Sequence, residues 1–417
     1  MLLFGPELEL ELYHHLYVLL YADDTILLSE SPECLQSALH ALHDYCALWK
    51  LTVNTAKTKV MIFSRGTVQI YPAFVYGHTN LEVVREYVYL GVTFTCNGRF
   101  VKSMERQISQ GNRALNALFY KAIKLRLPTD LVLELFDRTI VPIITYGCEV
   151  WGFEDLERVE VFHRKFLKRL MGVGQSTSNC FAYGECGRTD LRGVILSRMV
   201  GFWLRLRDGK PGKIAAMLLM ITRRKHYDMQ SPFQSSWVGH LDAELGNLEL
   251  SHFWNGGRGV ADHHEVKALV KERCKVKFLR DWNSELEQRQ FCYPYRVFKT
   301  DLKLEKYLVA LPFHLRRQMA RFRCRSNFLP VASFMRHFDP NFVPQCPWCA
   351  NANADEAHYL YRCPYFDERR MDWFIGAAED ERNFVQHMQT EDHDELMVLA
   401  RFMGFILDVA QFPPTVE

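Results

Sequence analysis

Leu16-Tyr17-Val18-Leu19-Leu20-Tyr21-Ala22-Asp23-Asp24-Thr25-Ile26-Leu27-Leu28 is the stretch around which the chain is organised. Two apolar runs flank a short polar break, Tyr21-Ala22-Asp23-Asp24. Such a pattern predicts a β-hairpin buried on at least one face, with the two carboxylates at its turn. Adjacent aspartates repel unless a cation neutralises them. Hard oxygen ligands on a rigid turn suit Mg²⁺, and paired Mg²⁺ ions assist in-line phosphoryl transfer. Asp also tolerates turn geometry for its own sake. The tetrapeptide alone supports both readings.

Working outward, Ser31-Pro32 reads as an N-cap followed by Pro at the first helical position. Leu35, Leu39, Leu42, Cys46 and Trp49 then recur at three- or four-residue spacing. The spacing predicts an amphipathic helix over 31–50 with its apolar stripe on the sheet. Strands are expected at 59–63, 74–77 and 88–92, the last two ending near a Gly. The first segment is therefore α+β in pattern. From 101 to 207 the pattern is helical, and 159–169 is basic on one face and apolar on the other. Residues 229–260 are rich in Ser, Gly, Asn and Trp and read as a long connection. A charged helix is expected over 261–290. Upstream of the hairpin, Leu8, Leu10 and Leu12 alternate with Glu7, Glu9 and Glu11, a period-two pattern that fits an edge strand or solvated chain. His14-His15 read as strand residues.

The downstream blocks give the hairpin its context. Residues 51–59, Leu-Thr-Val-Asn-Thr-Ala-Lys-Thr-Lys, are followed by Tyr87-Val88-Tyr89-Leu90-Gly91-Val92, then Val141-Pro142, then Tyr146-Gly147-Cys148-Glu149-Val150-Trp151. Together with Tyr-x-Asp-Asp, these four blocks in this order resemble the reverse transcriptases of LINE-type (non-LTR) retrotransposons. A group II intron maturase is the other relative weighed, and the Tyr-Gly…Trp block favours the LINE type. The resemblance implies that Asp23 and Asp24 are catalytic carboxylates holding Mg²⁺ or Mn²⁺. It also implies that Lys57 and Lys59 belong to a block that closes the polymerase palm and touches nucleic acid, and that the helices near 101–150 form the thumb.

Twelve cysteines and 417 residues do not describe a small disulfide scaffold, and nine of those cysteines are scattered singly. That usage fits a reducing compartment. Lys and Arg number 51 against 49 Asp and Glu, a net charge of +2, so total charge does not identify a nucleic-acid binder and only local clustering could. The hydrophobic content of 48% argues for a globular protein. The first residues carry no basic run, unlike a secretory signal, and no apolar run reaches the ~20 residues of a membrane span. The expected location is intracellular, in nucleus or cytoplasm and not secreted, with no membrane partner.

Two further clusters bear on function. Arg316, Arg317, Arg321, Arg323 and Arg325 lie within ten residues, with no acidic residue among them and with Phe322 and Phe328 interleaved. Clustered Arg suits phosphate and base contacts, so these five are expected to bind nucleic acid. Cys346, Cys349, His358 and Cys363 are spaced Cys-x2-Cys-x8-His-x4-Cys. Three thiolates and one imidazole fill a tetrahedral Zn²⁺ site, which would be closed and structural. Family members also carry such a cluster, followed by a Pro-x-aromatic and an Arg pair; Pro364-Tyr365-Phe366 and Arg369-Arg370 match. Cys180 and Cys186 are too isolated in sequence to suggest a second metal site.

The resemblance implies a partial palm over 1–98, thumb and helical connection over 99–208, a connecting region over 209–300 and a helical Cys/His domain over 301–417. A polymerase palm needs a third carboxylate from an earlier Asp-rich block. Only twenty residues precede Tyr21, and none fits that block. The expectation is therefore an RNA-directed DNA polymerase of retrotransposon origin, truncated and inactive alone. The alternative is a remnant that acts only by binding RNA or DNA. Neither reading takes a small-molecule substrate beyond nucleotides.

Overall fold

A computed structural model describes residues 18–64, 72–209, 214–227, 237–256, 262–330, 332, 345–350, 354–373 and 381–411. The alternating Glu/Leu stretch and His14-His15 lie outside the described residues. The architecture is mixed α+β, with small sheets followed by helices. Seven short strands come first: β1 (Val18–Tyr21), β2 (Asp24–Leu27), β3 (Lys59–Val60), β4 (Phe74–Tyr76), β5 (Thr79–Val83), β6 (Glu86–Tyr89) and β7 (Val92–Thr95). The longer helices are α1 (Pro32–Leu48), α2 (Val101–Lys124), α3 (Glu157–Met171), α4 (Arg192–Arg207), α5 (His263–Gln288), α6 (Phe313–Arg323) and α7 (His393–Val409). Two compact units interleave along the chain. One comprises Met1–Gly111, Ile143–Leu156 and Arg192–Arg273; the other comprises Asn112–Pro142, Glu157–Leu191 and Cys274–Glu417. The segment 99–208 thus contributes to both.

In the first unit, Ser31 caps α1 by accepting the Cys34 amide at 3.2 Å, and Pro32 occupies the first turn. Leu39 and Cys46 are buried, and Leu35 and Leu42 flank them. The apolar stripe meets the carboxylate hairpin through Leu27, at the edge of the core it builds, and packs chiefly elsewhere. It covers the three-stranded sheet β3-β5-β4, whose Val60, Leu81, Phe74 and Tyr76 complete the core. Gln36 secures this docking: its amide both donates to the Val75 carbonyl at 2.8 Å and accepts the Val75 N–H at 2.9 Å. A side-chain amide thereby satisfies the outer edge of β4, where a further strand would otherwise pair.

The sequence block 88–92 is not one strand. β6 runs into the turn Leu90-Gly91 and returns as β7, because both turn residues adopt positive φ (47° and 78°). Tyr146 reaches over this turn and donates its hydroxyl to the Leu90 carbonyl at 3.0 Å. A Cβ on Gly91 would sit 2.9 Å from the Tyr146 ring, and one on Gly147 would sit 2.9 Å from Val92. The Tyr-Leu-Gly and Tyr-Gly-x-x-x-Trp blocks are therefore two sides of one packing contact. Arg198 of α4 clamps the second block through Glu149 at 3.0 and 3.1 Å and through Thr145 at 2.8 Å. The segment 229–260, read from its composition as a long connection, is largely helical where it is described. Its described part forms helices Trp237–Asn247 and Ser251–Asn255, and Trp254 stacks on Trp203 at 4.9 Å.

The second unit is helical. Phe136 sits in a π-helical turn (Phe136–Ile140), and its ring stacks on Phe166 of α3 at 3.8 Å, nearly parallel. The extra residue of a π turn rotates the following side chains, and such turns occur often at functional positions. Leu315, Met319 and Phe322 of α6 are buried, as are Leu399, Phe402, Met403 and Ile406 of α7, which packs against α6. Among the described residues no helix is long and apolar enough to cross a membrane.

Candidate functional sites: the carboxylate hairpin and the Cys/His cluster

β1 and β2 pair antiparallel in the register Val18↔Leu27 to Tyr21↔Asp24, leaving a two-residue loop of Ala22 and Asp23. Ala22 is left-handed (φ 52°), the conformation that the first central position of a tight hairpin turn demands. Asp23 is thus at the tip and Asp24 begins the return strand, as the sequence predicts. The burial does not follow expectation. Leu20 is 73% exposed and Tyr21 62%, and only Ile26 and Leu27 are partly covered. The hairpin is a sheet of two strands, and among the described residues no third strand lies beside it. Leu27 of β2 packs against the core of Leu39, Val60, Phe74, Tyr76 and Leu81, while the β1 side chains are exposed.

Lys57 and Lys59 follow a turn built by Asn54, whose side-chain oxygen accepts the Lys57 amide at 3.1 Å. The Tyr87 hydroxyl donates to the Lys57 carbonyl at 3.3 Å, so this turn is tied to the Tyr-Leu-Gly hairpin. The Lys57 ammonium is exposed. Lys59 instead pairs with Glu82 at 2.7 Å across the parallel β3/β5 ladder.

The arginine cluster divides. Arg317 lies on the exposed side of α6, and Arg316 and Arg321 are half-buried. Arg323 and Arg325 are corrections to the nucleic-acid assignment. Arg323 is only 4% exposed; it grips Glu185 through two bonds of 2.9 and 3.0 Å and Glu305 at 2.9 Å. Arg325 grips Glu356 at 2.6 and 2.7 Å and is likewise buried. Counting local charge misled here, because the neutralising carboxylates come from 138 and 31 residues away. Burial would raise the Glu185 carboxyl, but the Arg323 charge outweighs it and holds the group below its usual range.

Cys346, Cys349, His358 and Cys363 converge, with all four donor atoms within 4.8 Å of one another. The Cys346 and Cys363 sulfurs are 3.7 Å apart, and Cys349 Sγ is 3.4 Å from His358 Nε2. Left-handed Ala350 (φ 58°) closes the first knuckle, and Asp355 accepts the His358 amide at 2.7 Å. Burial pushes the Cys363 thiol up to about 12 and the His358 imidazole down, the latter toward the neutral form that ligates. Trp348 roofs the cluster against Tyr359, Tyr365 and Phe366.

Two supporting residues complete the cluster. Arg370, one of the Arg pair singled out in the sequence, donates to the Cys363 carbonyl at 3.0 Å and the Leu360 carbonyl at 2.7 Å and so positions the ligand loop. Glu356, two residues before His358, is the carboxylate that holds Arg325. Glu356 was not legible, since its partner is 31 residues away and gives it no spacing signal.

Residues 6–94 match the family model for reverse transcriptase (RNA-dependent DNA polymerase). An uncharacterized transposon-derived protein of Caenorhabditis elegans is 30% identical over 162 residues, 37% of this chain and 56% of that protein. The RNA-directed DNA polymerase from mobile element jockey of Drosophila funebris is 23% identical over 165 residues, 37% of this chain and 18% of that protein. The chain therefore aligns with about half the length of the first relative and less than a fifth of the second. No solved structure matches it significantly.

Proposed function

We propose that this chain, which is of LINE-type (non-LTR) retrotransposon reverse-transcriptase origin, binds RNA or DNA and does not by itself polymerise. The observation that carries the reading is the hairpin. Asp23 and Asp24 are adjacent and exposed, and among the described residues their sheet has two strands and they join no group of three potential ligands. Two Mg²⁺ ions acting on attacking and leaving oxygens need a cage that spans both. The described residues around Asp23 and Asp24 do not fit that requirement, so no catalytic step is assigned to them. A polymerase reading is favoured by one observation, the retained turn geometry: left-handed Ala22 with Tyr21 opposite Asp24. It requires a third carboxylate from elsewhere.

The Cys/His cluster supports a structural Zn²⁺. Ideal tetrahedral bonds of ~2.3 Å to sulfur and ~2.0–2.1 Å to nitrogen give edges of about 3.8 Å between sulfurs and about 3.5 Å between sulfur and nitrogen. The two close pairs, at 3.7 and 3.4 Å, agree with those edges. Four protein ligands leave no open position, so the ion would staple the fold and not catalyse.

Arg316, Arg317, Arg321 and Lys57 are the proposed polynucleotide contacts. Replacing Arg317 and Arg321 with Ala is expected to weaken RNA and DNA binding. Each lost phosphate contact should reduce the slope of log affinity against log salt by about one unit. Fluorescence anisotropy across a salt series reads this, and an unchanged slope would return both residues to ordinary solvated surface.

A further inference from the structure

We infer a phosphate-binding site at the loop 172–178, in the helical unit, apart from the hairpin and the Cys/His cluster. The inference goes beyond polynucleotide binding as proposed above and does not require it. From Val161 to Gly184 the sequence contains no acidic residue, while Arg164, Lys165, Lys168 and Arg169 are cationic. α3 ends within this run, and left-handed Gly172 (φ 73°) turns the chain into Gly-Val-Gly-Gln-Ser-Thr-Ser.

Three features point to an anion. First, Lys168 is only 6% exposed and folds under the loop, where its ammonium donates to the Gln175 carbonyl at 2.8 Å. Among the described residues no carboxylate pairs with it, which is an uncommon state for a buried cation. Second, three hydroxyls gather at Gly174. The place a Cβ would take is 3.4 Å from Ser326 Oγ, 3.7 Å from Ser176 Oγ and 4.0 Å from Thr177 Oγ1, and Ser326 Oγ accepts the Gly174 N–H at 2.9 Å. Third, Thr177 is 7% exposed, and its hydroxyl, beside Gly174, has no hydrogen-bond partner among the described residues. A buried hydroxyl without a partner is costly unless something occupies the space it faces.

Arg317 borders the loop, its Nε donating to the Gly172 carbonyl at 3.2 Å. Arg321 does the same at the Ser326 carbonyl, 3.3 Å away. Each guanidinium keeps further N–H groups in a fork suited to a tetrahedral oxyanion. Three hydroxyls gathered at a glycine, a buried ammonium with no carboxylate partner among the described residues and bordering arginines form the donor set for a phosphate group. The source is a polynucleotide phosphate or a small phosphate compound.

The test uses the full chain with inorganic pyrophosphate, read by titration calorimetry and thermal unfolding, against sodium chloride of equal ionic strength. Pyrophosphate is expected to bind and to raise the unfolding midpoint. Thr177→Val should weaken binding about tenfold, the scale of one lost bond to a charged group, without lowering the midpoint of the free chain. Lys168→Met, a similar-sized uncharged replacement, should weaken it further. Displacement of pyrophosphate by a 5′-phosphorylated oligonucleotide supports the site and assigns it to a polynucleotide; failure to displace supports it for small phosphates. Pyrophosphate that acts no differently from chloride, or binds both variants as it binds the native chain, overturns the inference. Polynucleotide affinity measured with Arg317 and Arg321 replaced is a separate readout, so either proposal can fail alone.

Discussion

Arg323→Ala is expected to destabilise the helical unit by about 3–5 kcal/mol, the range for removing one partner of a buried ion pair. The cause is the group left behind. Glu185 is fully buried, and Arg323 supplies two of its charge-assisted bonds; Tyr307 adds a hydroxyl at 2.6 Å. Without the guanidinium, Glu185 loses its counter-ion in a site that water does not reach, while Glu305, partly exposed, keeps Lys299. The pair as a whole is worth far less than its disruption costs, because bringing both charges out of water offsets most of their attraction. Arg323→Met combined with Glu185→Leu should therefore recover much of the loss. Acid has the same effect as the single mutation. Glu185 has a depressed pKa in the fold, so its contribution is complete above its unfolded value near 4.5 and fades as pH falls toward the folded value. Chemical denaturation of the three proteins at pH 7 and pH 4 measures this. Equal midpoints for Arg323→Ala and the native chain would contradict the buried-pair assignment.

Removal of the proposed zinc is expected to have the other large effect. Structural zinc contributes on the order of 10 kcal/mol or more of apparent binding free energy in small domains, and that energy is folding energy. Around the cluster, Tyr359, Leu360 and Phe366 are buried and Glu356 is paired with Arg325, so the loss is expected to be centred on the ligand loops. The knuckle is made by ligands, by Trp348 and by Arg370 on the ligand-loop carbonyls. The purified chain is expected to contain one zinc by metal analysis. Cys349→Ser or a strong chelator should release it and lose amide protection from 346 to 370. Protons compete with metal for the thiolates, so release should be easier as pH falls. A metal-free chain with the same protection as the native one would remove zinc from the account.

The features legible in the sequence were those encoded locally. Tyr-Ala-Asp-Asp gave its own turn, Ser31-Pro32 its own cap, and the Cys/His spacing its own convergence, because each depends on residues a few positions apart. Misreadings came where partners are distant. Arg323 and Arg325 form an exposed patch only if Glu185, Glu305 and Glu356 are ignored. The α1 stripe announces a helix facing a sheet but not which sheet; the Gln36–Val75 bonds, 39 residues apart, select β4. Helix Trp237–Asn247 was hidden because its composition resembles a loop, while its buried Val238, Leu241 and Leu245 do recur at helical spacing.

The central claim, a reverse-transcriptase-derived chain that binds nucleic acid without polymerising alone, is tested most directly by primer extension. The reaction uses an annealed DNA primer on an RNA template, all four deoxynucleotides, and Mg²⁺ or Mn²⁺. The chain is compared with an Asp23→Ala, Asp24→Ala double mutant. The account predicts no extended product from either protein, because two exposed carboxylates, with no third among the described residues beside them, do not fix a two-metal centre. Extension by the native chain that vanishes in the double mutant would contradict it and make the hairpin a working polymerase site.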